Sequence, residues 1–195
     1  MIIGIVNGKG GVGKTTSAIY LGTVFANMGH EVVVIDLDHQ GSASDWHDRA
    51  EENGTPLPFP VEISNFKRLE RFIRNLKKGT VVILDTPPGD PSTINAAIDV
   101  SDFVVVPTRS YGIEVARVWD TLPSLRTVPH SILVTSARLN TRALELFLAI
   151  LDEEEVPRFR TIIPLRESVP DTWGDVPTKF EGYDSVAQSI LETLK

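Results

Sequence analysis

Cysteine is absent from this chain of 195 residues. That absence removes several chemistries together: disulfide frameworks, thiolate zinc sites, cysteine nucleophiles and cysteine-ligated iron–sulfur clusters. Long apolar runs are missing too. The start, MIIGIVNGKGG, carries an apolar run of five residues, Ile2 to Val6, with no basic leader, and no stretch approaches the roughly 18 residues of a membrane span. A cytoplasmic protein is expected. Net positive charge is also lacking, since 19 Lys and Arg face 26 Asp and Glu for a formal charge of −7. Such a balance normally argues against nucleic-acid partners, because phosphate attraction depends on clustered cations. What remains, 42% hydrophobic and 23% charged residues, fits one globular domain over residues 1–195, long enough to bury a core without covalent staples.

Short β-branched apolar runs recur at Ile2 to Val6, Val32 to Ile35, Val81 to Leu84, Phe103 to Val106, Ile132 to Val134 and Thr161 to Ile163. Unalternated runs of that length suit strands buried on both faces, as in a parallel sheet. Helical spacing marks Thr15 to Met28, Phe66 to Lys77, Ile113 to Leu122, Arg142 to Leu151 and Tyr183 to Leu194. The Pro-rich piece Gly54 to Pro60 reads as a connection. The alternation predicts an α/β fold, doubly wound, with a mostly parallel sheet and helices on both faces. In such folds ligands sit outside the carboxyl ends of the strands.

The first strand runs into Gly8-Lys9-Gly10-Gly11-Val12-Gly13-Lys14-Thr15-Thr16. Gly8, Gly10 and Gly13 satisfy the dinucleotide pattern G-x-G-x-x-G, with Asp36 placed to bind a ribose; Gly8, Gly13, Lys14 and Thr15 satisfy the P-loop pattern G-x-x-x-x-G-K-[ST]. Lys14 and Thr15 favour the P-loop. A triphosphate needs a flexible ammonium for its β and γ oxygens and a hydroxyl ligand for Mg²⁺, whereas a dinucleotide loop needs neither. A P-loop NTPase also needs an acid at the end of another apolar strand, and Val81-Val82-Ile83-Leu84-Asp85 supplies it, followed by Thr86-Pro87-Pro88-Gly89.

The stretch from Lys9 to Thr16, K-G-G-x-G-K-T-T, resembles the deviant Walker A box of the ParA/MinD family of ATPases. Asp36-Leu37-Asp38-His39-Gln40-Gly41-Ser42 is similar to that family's D-x-D-P-Q-G switch segment, and Val176-Pro177 with the helix from Tyr183 looks like its closing segment. The resemblance implies ATP and Mg²⁺ as cofactors. Lys14 would bind the β and γ phosphates, Thr15 would ligate Mg²⁺, and Thr16 with the amides of Gly10, Gly11, Val12 and Gly13 would line the α and β phosphates. Lys9 would cross an ATP-dependent homodimer interface to the partner's phosphates. Asp38 would orient the attacking water, Asp85 would hold Mg²⁺ through water, and Asp36 would stand behind the metal. His39 departs from the family's proline, which would have restricted Asp38. For the base, Thr135 to Arg138, Pro107 and Pro164 are candidates and none is preferred.

The resemblance further implies slow ATP hydrolysis stimulated by a separate adaptor protein, in a nucleotide-timed switch that segregates or positions a cargo. Non-specific duplex DNA is the expected partner of the ATP dimer, giving a cytoplasmic, nucleoid-associated protein. Candidate DNA contacts are Arg138, Arg142, Arg158, Arg160 and Arg166, in the third of the chain where relatives carry theirs. A second basic stretch has Lys67, Arg68, Arg71, Arg74, Lys77 and Lys78 against Glu70 alone, a local net of +5, with a solvated helix face as its bland reading. No helix-turn-helix segment precedes the loop, so operator-specific binding is not expected. A MinD-like membrane protein is the alternative. Ser185 to Lys195 has one basic residue and no aromatic, which suits a packed helix better than a membrane anchor. An ATP-dependent metabolic enzyme of the same fold stays open as a third reading.

Overall fold

The computed structural model describes residues 1–110, 119, 121–125 and 127–195. Six strands, β1 (Ile2–Ile5), β2 (Val32–Asp36), β3 (Val61–Ile63), β4 (Val81–Asp85), β5 (Phe103–Thr108) and β6 (His130–Val134), form one parallel sheet in the order β3-β2-β4-β1-β5-β6. The helices are α1 (Lys14–Asn27), α2 (Ser42–Glu52), α3 (Phe66–Arg74), α4 (Pro91–Val100), α5 (Arg142–Glu153), the single turn α6 (Ser168–Asp171) and α7 (Tyr183–Thr193). The helix expected over Ile113 to Leu122 falls largely outside the described residues, and Leu122–Leu125 form a 3-10 turn.

Each apolar run serves two cores because successive side chains of a strand point to opposite faces. On one face Ile3, Ile5, Val32, Val34, Val81 and Ile83 pack under α1, α2 and α7. On the other, Val33, Ile35, Val82 and Leu84 meet Leu69 of α3 and Ala97 of α4, while Val104 and Val106 meet Leu144 and Phe147 of α5. Burial on both sides, worth ~1.5–3 kcal/mol per large apolar side chain, explains why these runs show no polar alternation. Within α1, Gly22 is required by contact: a Cβ there would stand 2.7 Å from the Phe59 ring.

Two expectations change. The sixth strand is Val61–Ile63, not Thr161 to Ile163. β3 is an edge strand with Glu62 and Ile63 exposed, so it lacks a continuous apolar run. Residues 161–163 run beside the end of β6 through Ile163 N to Val134 O (2.9 Å) and Ala137 N to Ile163 O (3.0 Å), without a regular ladder. Two further helices, α2 and α4, lie outside the segments with helical spacing. α2 buries only Ala43, Trp46 and Ala50, a weak apolar signal. α4 is announced by chemistry instead, with Pro91 in its first turn and the Asp90 carboxylate accepting from Ser92 N (3.0 Å) and Thr93 N (3.1 Å).

Candidate functional site

β1 lies between β4 and β5, and its register sets Ile5 beside Asp85, while β2 sets Asp36 beside Asp85. Parallel pairing therefore delivers the loop after β1 and the acids ending β2 and β4 to one edge of the sheet. The loop turns into α1 through Gly13, whose φ of 88° belongs to the left-handed region that glycine enters without strain. Its first amide-rich turn is held from several sides. Lys9 N donates to Asn7 Oδ1 (2.8 Å), and Asn7 is itself anchored to Pro107 O (2.8 Å). Gly89 N donates to Gly8 O (3.1 Å), and Thr135 Oγ1 donates to Val12 O (2.8 Å). The Lys14 ammonium reaches back to Lys9 O (2.9 Å), closing the loop across its glycines.

A cavity of about 520 Å³ opens over this loop, lined by Gly10, Gly11, Gly13, Lys14, Thr15 and Thr16 on the floor and by Asp38, Gln40 and Ser42 at one side. Ser136, Pro164, Leu165, Pro170 and Trp173 line it as well. Burial lowers the Lys14 pKa, while Asp85 and Asp38 oppose that shift, so the ammonium is held among carboxylates. Asp85, 1% exposed, accepts a hydrogen bond from Thr15 Oγ1 at Oδ2 (2.7 Å), and its Oδ1 has no partner. Burial pushes its carboxyl up to about 7; the Thr15 hydroxyl opposes this, and the neighbouring Asp36 adds to it. A buried acceptor without a donor, next to a threonine hydroxyl, is a donor set that suits a hydrated Mg²⁺.

Asp36 is placed differently. It is fully buried, and its oxygens accept from Asp38 N (3.0 Å), Ala43 N (3.1 Å), Ser44 N (3.0 Å) and Ser44 Oγ (3.0 Å). Three of those bonds converge on Oδ2 and one on Oδ1, so the carboxylate is committed chiefly to fixing the N-terminus of α2, on the strand beside Asp85. Asp38 lines the cavity, and its Oδ1 accepts from Gln40 N (2.9 Å) while its carbonyl accepts from Gly41 N (2.9 Å). This turn, completed by Gly41 at φ 68°, takes the place of the restriction that a proline at His39 would impose. Lys9 is half-buried and its side chain does not line the cavity; Gly8 and the buried Val12 side chain are likewise outside it.

Among the base candidates, Thr135, Ser136 and Pro164 reach the cavity, whereas Pro107 uses its carbonyl to hold Asn7. Sequence reasoning missed Trp173, which stacks edge-on to Trp46 at 5.1 Å, and Thr135 as the support of the loop. A lone tryptophan or threonine outside any motif carries no signal. The five arginines expected on DNA do not form one free patch. Arg158 is bound to Asp152 through Nε (2.7 Å) and Nη2 (2.9 Å), and Arg166 Nε meets Glu181 (3.0 Å). Arg138, Arg142 and Arg160 are exposed.

The family described as CobQ/CobB/MinD/ParA nucleotide binding domain matches residues 3–172. The chain belongs to this family. Among curated members, the maintenance of carboxysome distribution protein A of Gloeobacter kilaueensis is 33% identical over 171 residues, covering 83% of this chain and 76% of that protein. The chromosome-partitioning ATPase Soj of Thermus thermophilus is 35% identical over 155 residues, and the match spans 64% of this chain and 62% of Soj, under two thirds of that relative's length. A Borrelia burgdorferi structure, described as a candidate plasmid partition protein bound to AMPPNP, superposes with a TM-score of 0.79 at 22% identity over 98% of both chains. At that identity the likeness establishes the shared fold, and the parallel sheet here is the ParA/MinD-family sheet.

Proposed function

We propose that residues 1–195 form a single ATPase domain of the partition and positioning type. It binds ATP with Mg²⁺, dimerises around the nucleotide, holds duplex DNA without sequence preference, and hydrolyses ATP slowly until a separate adaptor protein stimulates it. One observation carries the reading: Lys14, Thr15 and Asp38 face a single cavity, and beneath it the buried Asp85 has an oxygen without a donor. Phosphoryl transfer asks chiefly for positioning and charge neutralisation. Lys14 would meet the β and γ oxygens, and the amides from Gly10 to Thr16 the α and β oxygens. Mg²⁺, held by Thr15 and through water by Asp85, would supply the remaining positive charge. Asp38 would orient water; no other carboxylate lines the cavity among the described residues, which fits slow turnover. Lys9, which does not line its own cavity, would serve a second copy's nucleotide.

Names of relatives such as chromosome-partitioning ATPase support a partition or positioning role. The MinD-like membrane reading has less support. α7 buries Tyr183, Val186, Ala187 and Ile190, leaving no apolar face for a bilayer, and no described helix is long and apolar enough to cross one. The test is size-exclusion chromatography and duplex-DNA binding in ADP and in ATP, with wild type, Lys9→Ala and Asp38→Ala. An ATP-only dimer that binds DNA, persists in Asp38→Ala and disappears in Lys9→Ala is expected. DNA binding equal in ADP and ATP would sink the switch. Turnover that requires a small carboxylate substrate would establish the metabolic-enzyme reading in its place.

A further inference from the structure

We propose that the exposed face of α3, carrying Lys67, Arg68, Arg71 and Arg74 and followed by Lys78, is the surface that holds the phosphate backbone of duplex DNA. This rests on the DNA-binding reading above and relocates its contact away from the C-terminal arginines. Lys77 is bound to Glu31, but among the described residues the other five cations form no salt bridge and all are exposed, with Glu70 the only acid between them. In a chain of net charge −7 such a concentration is not a sample of the average surface.

Helix stability does not explain it. Arg71 and Arg74 in the last turn complement the helix dipole, but Lys67 and Arg68 stand in the first turn, where no acidic residue accompanies them and positive charge opposes the dipole. The cost has a reason if an anion is met there. Lys67, Arg71 and Arg74, spaced i, i+4 and i+7, fall on one line of the helix. That line is roughly 10 Å long at 1.5 Å per residue, the axial rise of about three nucleotides of one DNA strand.

The other side of α3 decides against a bilayer. Leu69 is buried, and Phe72, Ile73 and Leu76 pack on the cluster containing Val33, Ile35 and Leu84. Most of the apolar face that would enter lipid is already in the core; Phe66, at the first position of α3, is exposed under Lys67, and the rest of what α3 offers solvent is cationic, a surface complementary to phosphate. The rival arginines are weaker candidates, since Arg158 and Arg166 are paired with carboxylates and residues 152–155 place four acids at the end of α5.

The test is fluorescence anisotropy of a 30-bp duplex with the full chain in ATP and Mg²⁺ across a salt series. Three variants are compared with wild type: Lys67→Gln/Arg68→Gln/Arg71→Gln/Arg74→Gln, the charge-preserving Arg68→Lys/Arg71→Lys/Arg74→Lys, and Arg138→Gln/Arg142→Gln/Arg160→Gln. At about 0.9 released counterions per contact, neutralising four on each subunit should make the salt slope shallower by about 3.6, and weaken binding roughly 10³-fold at 0.1 M salt, for every subunit of the dimer that touches the duplex. The lysine variant should bind like wild type and the C-terminal variant nearly so, with ATP-dependent dimerisation intact in all three. Unchanged DNA affinity in the glutamine variant, loss of binding in the C-terminal variant, or wild-type preference for anionic vesicles over DNA overturns the proposal. Failure of the wild type to dimerise in ATP strikes the underlying ATPase reading instead.

Discussion

Asp85→Asn should stabilise the nucleotide-free protein at alkaline pH while removing its response to Mg-ATP. The Asp85 carboxyl is pushed from 3.8 up to about 7, chiefly by burial. At 1.36 kcal/mol per pH unit, the raised value lowers stability relative to acid by about 4 kcal/mol above pH 7 and by about 2 kcal/mol at pH 5, where the folded carboxyl still holds its proton. Because the folded carboxyl holds its proton more tightly than the unfolded one, the stability it contributes is fully present below the unfolded value and is lost as pH rises through about 7. Asparagine keeps an oxygen for the Thr15 hydroxyl but buries an unpartnered amide, a cost of ~1–3 kcal/mol that does not change with pH. The informative quantity is therefore the variant-minus-wild-type difference at pH 8 compared with pH 5. Thermal unfolding in EDTA should show this difference larger at pH 8 by about 2–3 kcal/mol, or ~4–12 °C in Tm for a chain of this size. Adding Mg-ATP should raise the wild-type Tm and leave the variant nearly unmoved. A difference equal at the two pH values would refute the claim that a buried, uncompensated carboxylate sits beside the loop.

Asp36→Asn puts an amide N–H₂ against the main-chain donors of α2; it should cost about 2–4 kcal/mol in urea unfolding and raise amide exchange at Ala43 and Ser44. Thr135→Val removes the bonds from Oγ1 to Val12 O and Thr108 O, and a loss of about 1–3 kcal/mol with weakened nucleotide binding by calorimetry is expected. Gly22→Ala drives a methyl into the Phe59 ring and should destabilise by about 1–3 kcal/mol, with Phe59→Leu recovering part of that loss in a double-mutant cycle.

The sheet and the loop were legible because both depend on short-range patterns. A buried parallel strand must be apolar throughout, and the residues just past its end must be the ones that face a ligand, so Gly8 to Thr16 and Asp85 announce themselves. The register that sets Asp36 beside Asp85 is tertiary, and the capture of Asp36 by α2, seven and eight residues on, follows no regular spacing; a carboxylate ending a strand looks the same whether it waits for a metal or caps the next helix. Thr161 to Ile163 has the composition of a strand and lies beside β6, yet Val61–Ile63 with one apolar face takes the ladder at the opposite edge. The pairing of two of the five C-terminal arginines is hidden for a related reason. Arg158 is neutralised by Asp152, six residues earlier, and Arg166 by Glu181, 15 residues later, spacings that no helical rule pairs.

α2 is tied at both ends. Its start is fixed to the strand edge by Asp36; Trp46 Nε1 donates to Asp175 O (2.9 Å), Asn53 Nδ2 to Gly174 O (2.8 Å) and Thr55 Oγ1 to Asp175 Oδ1 (2.7 Å). The helix is thus a brace between the carboxylate side of the cavity and the wall that carries Trp173. It joins Asp36, two residues before Asp38, to residues 174 and 175, which follow Trp173. Trp173, at the far end of the strut, becomes a natural gauge of what happens around Asp38.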